Sequence, residues 1–253
     1  MPSKAHSYYY GVADSQAGEL YLPLAGKPAV VVLLHGGYWR MPWGRDQWLP
    51  VMEDLVARGY AVWNLGYRRV GEPGGGWPGT LDDVAQGVDY LAELVAQGVA
   101  IDLAQVVLVG HSAGAQLALW AAARMEARVR PLAVAAVAPA LDLVALAAQG
   151  EGRKALAALL GGTPEEVPER YQAASPLARL PLGVPQLVIH GGHDEDLPLA
   201  LTRNYVALAQ AQGDPAKLRI IPEADHMDCL DPAGGMHAAL CDWLMELCGS
   251  ERA

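Results

Sequence analysis

The chain has 253 residues, of which 52% are apolar and 18% charged; that length suits one large domain, and the composition excludes intrinsic disorder. Lys and Arg total 18 against 28 Asp and Glu, a net charge of -10, so neither nucleic acid nor an anionic membrane surface is an expected partner. Phe is absent while Trp reaches 7 and Tyr 10, so every Phe-like position is filled by a ring with a polar handle.

The segment Met1–Gly11 carries Lys4, His6 and the run Tyr8, Tyr9 and Tyr10 and lacks the apolar core of a signal peptide. The most apolar stretch, Leu132–Ala148, is interrupted by Pro139 and Asp142, whereas a membrane span needs about 20 nearly unbroken apolar residues. Cys229, Cys241 and Cys248 cluster late in the chain. On one helix the last two lie about 10 Å apart, beyond disulfide reach, and reduced thiols in a cytoplasm are the expectation.

With no repeat or linker to divide it, residues 1–253 read as a single α/β domain. Apolar runs at Ala29–Leu34, Ala61–Leu65, Val106–Val109, Leu132–Val137 and Leu187–Ile189 are what parallel strands covered on both faces need, and Lys217–Ile221 reads as a further strand. Between them, Asp46–Arg58, Leu81–Gln97, Ala113–Arg128, Leu199–Gln212 and Met236–Cys248 carry apolar residues at helical spacing. Thr80 and Asp83 are spaced as a capping box for the second of these helices. About 45 residues, 140–184, separate two strands where a short connection is usual. Helical patterns at Leu141–Ala148, Arg153–Leu160 and Pro164–Tyr171 make this insertion either decoration or a small cap over a site. An apolar face on the terminal helix leaves room for a homodimer.

In such a fold, chemistry collects at the carboxyl ends of the strands. Gly110-His111-Ser112-Ala113-Gly114 joins a strand to a helix, the setting of a nucleophile elbow, whose tight turn excludes bulk at both flanks. A serine there can also be a plain helix cap. His35-Gly36-Gly37-Tyr38-Trp39 ends an earlier strand; it is either an ordinary turn or a loop whose amides, with the N–H of Ala113, receive a developing oxyanion. His35 and His111 read as loop-fixing and packing residues.

A serine hydroxyl needs a base, and the base an acid, which follow in the order Ser, acid, His. Downstream, Asp194 is the acid, with Asp196 as competitor, and His226 is the base, while His237 falls in the terminal helical pattern as a surface or partly packed residue. A zinc site built from His190, His193, Asp194, Asp196 and His226 is the rival; it leaves the elbow without a purpose, so no metal and no cofactor is expected. The glycine-rich stretch 64–78 lacks Walker spacing. It reads as a flexible loop beside the pocket, with Tyr67 and Arg68 as anchors or substrate contacts. Tyr38, Trp39, Tyr67 and Trp77 are the candidate pocket residues, and the tryptophans at 39, 43, 48, 63 and 77 suggest an aromatic-lined cleft.

Together the segments His35–Trp39, Gly110–Ala115, Gly192-His193-Asp194 and His226-Met227-Asp228 resemble the α/β-hydrolase superfamily. Within it they resemble the serine-dependent kynurenine formamidases and the related HGGxW-type carboxylesterases. The resemblance runs from about Tyr10 onward. It implies an α/β-hydrolase fold with a mainly parallel sheet, Ser112, Asp194 and His226 as a triad, and an oxyanion hole from Gly36, Gly37 and Ala113. A small-molecule ester or amide is the implied substrate. An exopeptidase with the same triad, or a binding protein that keeps the fold without turnover, are the alternatives.

Overall fold

The structure, a computed structural model, describes residues 5–24, 26–148 and 150–249. One eight-stranded sheet runs through it in the order β1-β2-β4-β3-β5-β6-β7-β8. The strands are β1 (His6–Tyr9), β2 (Ala17–Tyr21), β3 (Ala29–Leu34), β4 (Ala61–Leu65), β5 (Asp102–His111), β6 (Ala133–Val137), β7 (Gln186–Gly191) and β8 (Ala216–Ile221). From β4 to β8 every neighbouring pair is parallel, while β1 and β2 are antiparallel additions at one edge. The apolar runs of the sequence are these parallel strands, and β3 and β4 have the expected bounds. The edge strands were not foreseen: β1 is mostly exposed, so neither an apolar run nor a clean alternation marks it.

Alternation along β3 divides the core. Val30, Val32 and Leu34 face one side of the sheet and Val31 and Leu33 the other, each buried side chain contributing roughly 1.5–3 kcal/mol. The first side is covered by α2 (Gly79–Asp89), α3 (Leu91–Ala96), α4 (Ala113–Ala122) and α8 (Leu199–Ala211). The second side is covered by α1 (Leu49–Ala57) and α9 (Gly235–Gly249). Helix α4 stops at Ala122 instead of running on to Arg128. The apolar face of α9 is spent on the sheet through Met236, Leu240, Trp243 and Leu244, and Met245 alone of its large apolar residues is exposed, so the face that suggested a homodimer is occupied.

The insertion at 140–184 forms α5 (Leu143–Leu146), α6 (Gly150–Leu160) and α7 (Pro168–Ala174), followed by a short 3-10 turn at Pro176–Arg179. Asp142 caps α5 by accepting the N–H of Ala145 at 3.0 Å. The expected capping box at Thr80 and Asp83 does not form. The N-cap position falls on Pro78, and Asp83, fully buried, is instead the counterion of Arg68, taking its Nε at 2.8 Å and its Nη2 at 2.7 Å. A buried charge needs such pairing, and this need overrides the local cap.

Candidate active site

Four loops at the carboxyl ends of β3, β5, β7 and β8 build the site. Ser112 stands between β5 and α4 with φ 54° and ψ -116°, a conformation that costs a non-glycine residue about 1–3 kcal/mol. The turn is held by the Ser112 N–H donating to Val137 O at 2.9 Å and by the Ser112 carbonyl accepting the Ala115 N–H at 3.1 Å. Only glycine fits at its flanks: a Cβ on Gly110 would lie 2.2 Å from Gly114 O, and one on Gly114 2.2 Å from Leu34 O. The turn has the strained, glycine-flanked geometry that a nucleophile elbow requires.

Since β3 and β5 are neighbours, with Leu34 opposite Gly110, the loop after β3 lies against the elbow. A Cβ on Gly36 would sit 3.3 Å from Ser112 Cβ, and Gly37 has φ 104° with Trp43 Cβ 2.2 Å from where its own Cβ would be. His35 fixes this loop from beneath. Its Nδ1 donates to Gly36 O at 2.8 Å, Tyr67 donates its hydroxyl to His35 O at 2.7 Å, and the two rings stack 4.2 Å apart. Burial pushes the His35 imidazole down to about 3, so it stays neutral.

The loop after β7 carries Asp194 and the loop after β8 carries His226. His226 Nδ1 donates to Asp194 Oδ2 at 2.8 Å, and the Asp194 side chain is fully buried. Burial opposes its ionisation, but the His226 hydrogen bond and the Leu197 N–H at 2.9 Å prevail and hold the carboxyl below its ordinary value. Asp196, the competing acid, is exposed and accepts the Tyr38 hydroxyl at 3.1 Å. Of the two carboxylates, Asp194 is thus the one that meets His226.

Two further histidines brace this pair. His111 Nε2 faces the carbonyl of His226 at 2.8 Å; a carbonyl only accepts, so Nε2 carries the proton. Burial first, and the charge of His226 second, lower the His111 imidazole to about 4. His190 donates Nε2–H to Leu197 O at 3.1 Å and pairs through Nδ1 with Thr202 Oγ1 at 2.9 Å, fixing the turn that presents Asp194. His193 is exposed. Asp194, Asp196 and His226 do have ligand atoms within 4.8 Å of one another, yet His226 Nδ1 is already spent on Asp194.

Ser112 opens on a cavity of about 350 Å³ walled by Tyr38, Trp39, Ala113, Leu146, Leu156 and Leu201, and the insertion contributes one side of it through α5 and α6. A smaller cavity of about 100 Å³, bordered by Trp43, Ser112, His226 and Met227, adjoins it. Trp39 is fixed by donating Nε1–H to Gln116 Oε1 at 2.9 Å, and Gln116 in turn donates to Ala174 O at 2.8 Å. Gln116 went unnoticed in the sequence, although it is the one strongly polar residue of α4.

Of the four candidate pocket residues, Tyr38 and Trp39 line the cavity and Tyr67 and Trp77 do not. Tyr67 is buried beneath His35, and Trp77 packs against the insertion, its N–H donating to Leu159 O at 2.7 Å. The glycine-rich loop is anchored: a Cβ on Gly75 would lie 1.9 Å from Arg69 O. Trp48 and Trp63 are core residues on opposite faces of the sheet. The aromatic wall is therefore Tyr38, Trp39 and Trp43.

A mainly parallel sheet flanked by helices, with its elbow after β5, is the α/β-hydrolase fold. A solved carbohydrate esterase from gut microbiota, in truncated form, shares it with a TM-score of 0.82 at 19% identity, over 98% of this chain and 97% of that one. The chain belongs to the BD-FAE family, whose model matches residues 19–207. It is 34% identical over 113 residues to a kynurenine formamidase of Meyerozyma guilliermondii, 44% of this chain and 39% of that protein. It is 26% identical over 211 residues to the esterase LipQ of Mycobacterium tuberculosis, 78% of this chain and 49% of that protein. It thus matches half or less of the length of these curated relatives. Among the described residues, no helix is long and apolar enough to cross a membrane.

Proposed function

We propose that this protein is a serine hydrolase of small carboxylic esters or acyl amides, formamides included, acting through an acyl-enzyme on Ser112. The observation that carries the reading is the buried Asp194 hydrogen-bonded to His226 at the edge of a cavity that also takes in the strained Ser112. Its relatives include one named for a formamide substrate and one named as an esterase, in keeping with either leaving group.

In this mechanism Ser112 Oγ attacks the acyl carbon while its proton passes to His226 Nε2, and ionised Asp194 holds the ring and stabilises the imidazolium. The carbonyl oxygen, now negative, meets the backbone N–H groups of Ala113 and of the Gly36–Gly37 loop; the first amides of α4 have no intrahelical acceptor and are available. The carbon–oxygen or carbon–nitrogen bond breaks as His226 returns the proton to the departing alcohol or amine. Water then repeats the sequence on the acyl-enzyme and frees the acid. Among the described residues the Ser112 hydroxyl makes no hydrogen bond, so its contact with His226 belongs to the substrate complex, as is common for catalytic hydrogen bonds in apo structures. The three cysteines are buried and form no disulfide among the described residues, which suits a cytoplasmic enzyme.

The test is a side-by-side assay of the protein and Ser112→Ala on p-nitrophenyl butyrate and N-formylkynurenine, with a fluorophosphonate label. Labelling of one serine per chain, and a loss of about 10³-fold or more in kcat in the variant, are expected. Near-normal turnover by Ser112→Ala would overturn the reading.

A further inference from the structure

Away from the catalytic loops, three side chains converge between α1 and α9 on the other face of the sheet. His237 Nε2 lies 2.7 Å from Asp54 Oδ2, Cys241 Sγ lies 3.3 Å from His237 Nε2, and Cys241 Sγ lies 3.8 Å from Asp54 Oδ2. His237 and Cys241 are 1% and 3% exposed, which corrects the sequence reading of His237 as a surface or partly packed residue. The spacing of four residues puts both side chains on one face of α9, and Asp54 reaches across from α1. We propose that Asp54, His237 and Cys241 form a binding site for one divalent transition-metal ion of the zinc class.

The triangle is close to the size needed. Tetrahedral zinc with sulfur at about 2.3 Å and nitrogen and oxygen at about 2.0–2.1 Å spaces its ligand atoms about 3.3–3.6 Å apart; the two edges to sulfur, 3.3 and 3.8 Å, lie near that range, and the 2.7 Å edge, a hydrogen bond in the metal-free protein, opens by about 0.6 Å when the ion replaces its proton. One thiolate, one imidazole and one carboxylate are a borderline-soft donor set, which selects zinc, cobalt or copper over magnesium or calcium. Asp54 is 31% exposed at its side chain, which provides an entry path and a fourth position for water. Arg58 Nε donates to the same Asp54 Oδ2 at 2.6 Å, an outer hydrogen bond that one lone pair of the oxygen can keep while the other ligates.

The same cluster is unsuited to be a second nucleophile. Asp54 and Cys241 both face Nε2 of His237, and Nδ1 is buried without a partner, so the ring cannot take a proton from the thiol at one nitrogen while leaning on the acid at the other, as a triad does. Burial also pushes the thiol up to about 11. A metal ion resolves this in two exchanges: the thiol's sulfur–hydrogen bond gives way to a sulfur–metal bond with its proton released to solvent, and the His237 proton moves from Nε2 to Nδ1 as Nε2 ligates, so one proton is released per ion bound. The ion would then staple α1 to α9.

The experiment uses the full chain, freed of metal by chelator dialysis. Cobalt(II) is titrated while the thiolate-to-cobalt absorption in the near ultraviolet is followed, and zinc then displaces it. One equivalent of cobalt, a thiolate band, and a raised Tm on zinc addition are the expected results. Cys241→Ser should abolish the band, and Asp54→Ala should weaken binding by about tenfold or more, with ester turnover unchanged in both. A band that persists in Cys241→Ser places the ion at another thiol and overturns the site, as does zinc binding that inhibits turnover with undiminished affinity in Asp54→Ala, since the ion then sits at Asp194, Asp196 and His226. Absence of stoichiometric binding at micromolar metal also overturns it. If Cys241→Ser fails to fold, Asp54→Ala decides alone, and unweakened affinity there refutes the proposal.

Discussion

His111, the residue before Ser112, donates its Nε2–H to the backbone carbonyl of His226 at 2.8 Å, with the two rings 4.8 Å apart. In the proposed mechanism the elbow thus carries a brace for the base as well as the attacking serine. The contact works only with His111 neutral, because a second proton on the ring would stand beside the imidazolium that His226 becomes during turnover.

That neutrality gives a stability prediction. In the folded protein burial lowers His111 to about 4, while in the unfolded chain it titrates near 6.5. Between these values the unfolded state binds a proton that the folded state refuses, so stability is present above about pH 6.5 and is lost as pH falls toward 4, by on the order of 3 kcal/mol. Urea denaturation of the protein and of His111→Gln at pH 7.5, 6 and 5 checks this. The variant keeps a donor for His226 and should show a flatter acid decline; identical slopes would refute it.

Asp194→Asn should cut kcat by about 10³–10⁴-fold with little change in fold, because an amide at that place no longer stabilises the imidazolium or fixes the tautomer. Asp196→Asn should change kcat by less than about tenfold, since Asp196 meets Tyr38 and not His226 Nδ1. Steady-state kinetics of the two variants decide between the acids, and comparable losses would contradict the assignment.

Gly37 has φ 104°, and a methyl group there would strike Trp43 Cβ at 2.2 Å. Gly37→Ala must therefore shift the loop, and a displaced oxyanion donor costs about 10²–10³-fold in kcat. The KM should move much less. Full activity in this variant would show that the loop plays no part in the transition state.

The cavity beside Ser112 holds about 350 Å³ and is walled on one side by Leu146 and Leu156 of the insertion. Butyryl p-nitrophenyl esters should exceed octanoyl ones by about tenfold or more in kcat/KM, and Leu146→Ala should narrow the gap. Equal rates on both chain lengths would remove the insertion from any role in acyl selection.

Asp83→Asn should destabilise the fold by about 3 kcal/mol, at the low end for a broken buried pair because Arg68 keeps 22% exposure at its side chain. Chemical denaturation measures this, and an effect below about 1 kcal/mol would show that Arg68 finds water instead.

Much of this protein was legible in one dimension. Runs such as Ala29–Leu34 and Ala61–Leu65 fix the buried parallel strands because both faces of such a strand must be apolar, and the glycines of 110 and 114 mark the elbow because the turn admits no side chain there. Both are local requirements, met within a few residues. Strand β1 shows no pattern because it is mostly exposed, and β2, though mostly buried, because Gly18 and Glu19 interrupt any apolar run. Other features depended on distances that no local pattern encodes. Asp194 and Asp196 differ by two positions in one turn, and only the packing of the loops after β7 and β8 decides which faces His226. Tyr67 follows a strand as Tyr38 does, yet the stacking of its ring on His35 takes it out of the pocket. Asp83 has the spacing of a cap and serves Arg68. His237 and Asp54 lie 183 positions apart and meet at 2.7 Å. The sequence by itself determined the strand and helix alternation and the strained turn at Ser112, since these follow from backbone sterics and periodicity. Which carboxylate meets His226, which aromatic rings line the cavity and which histidine lies buried beside Asp54 was decided by the tertiary structure, because burial and charge pairing act between side chains that only the completed sheet brings together.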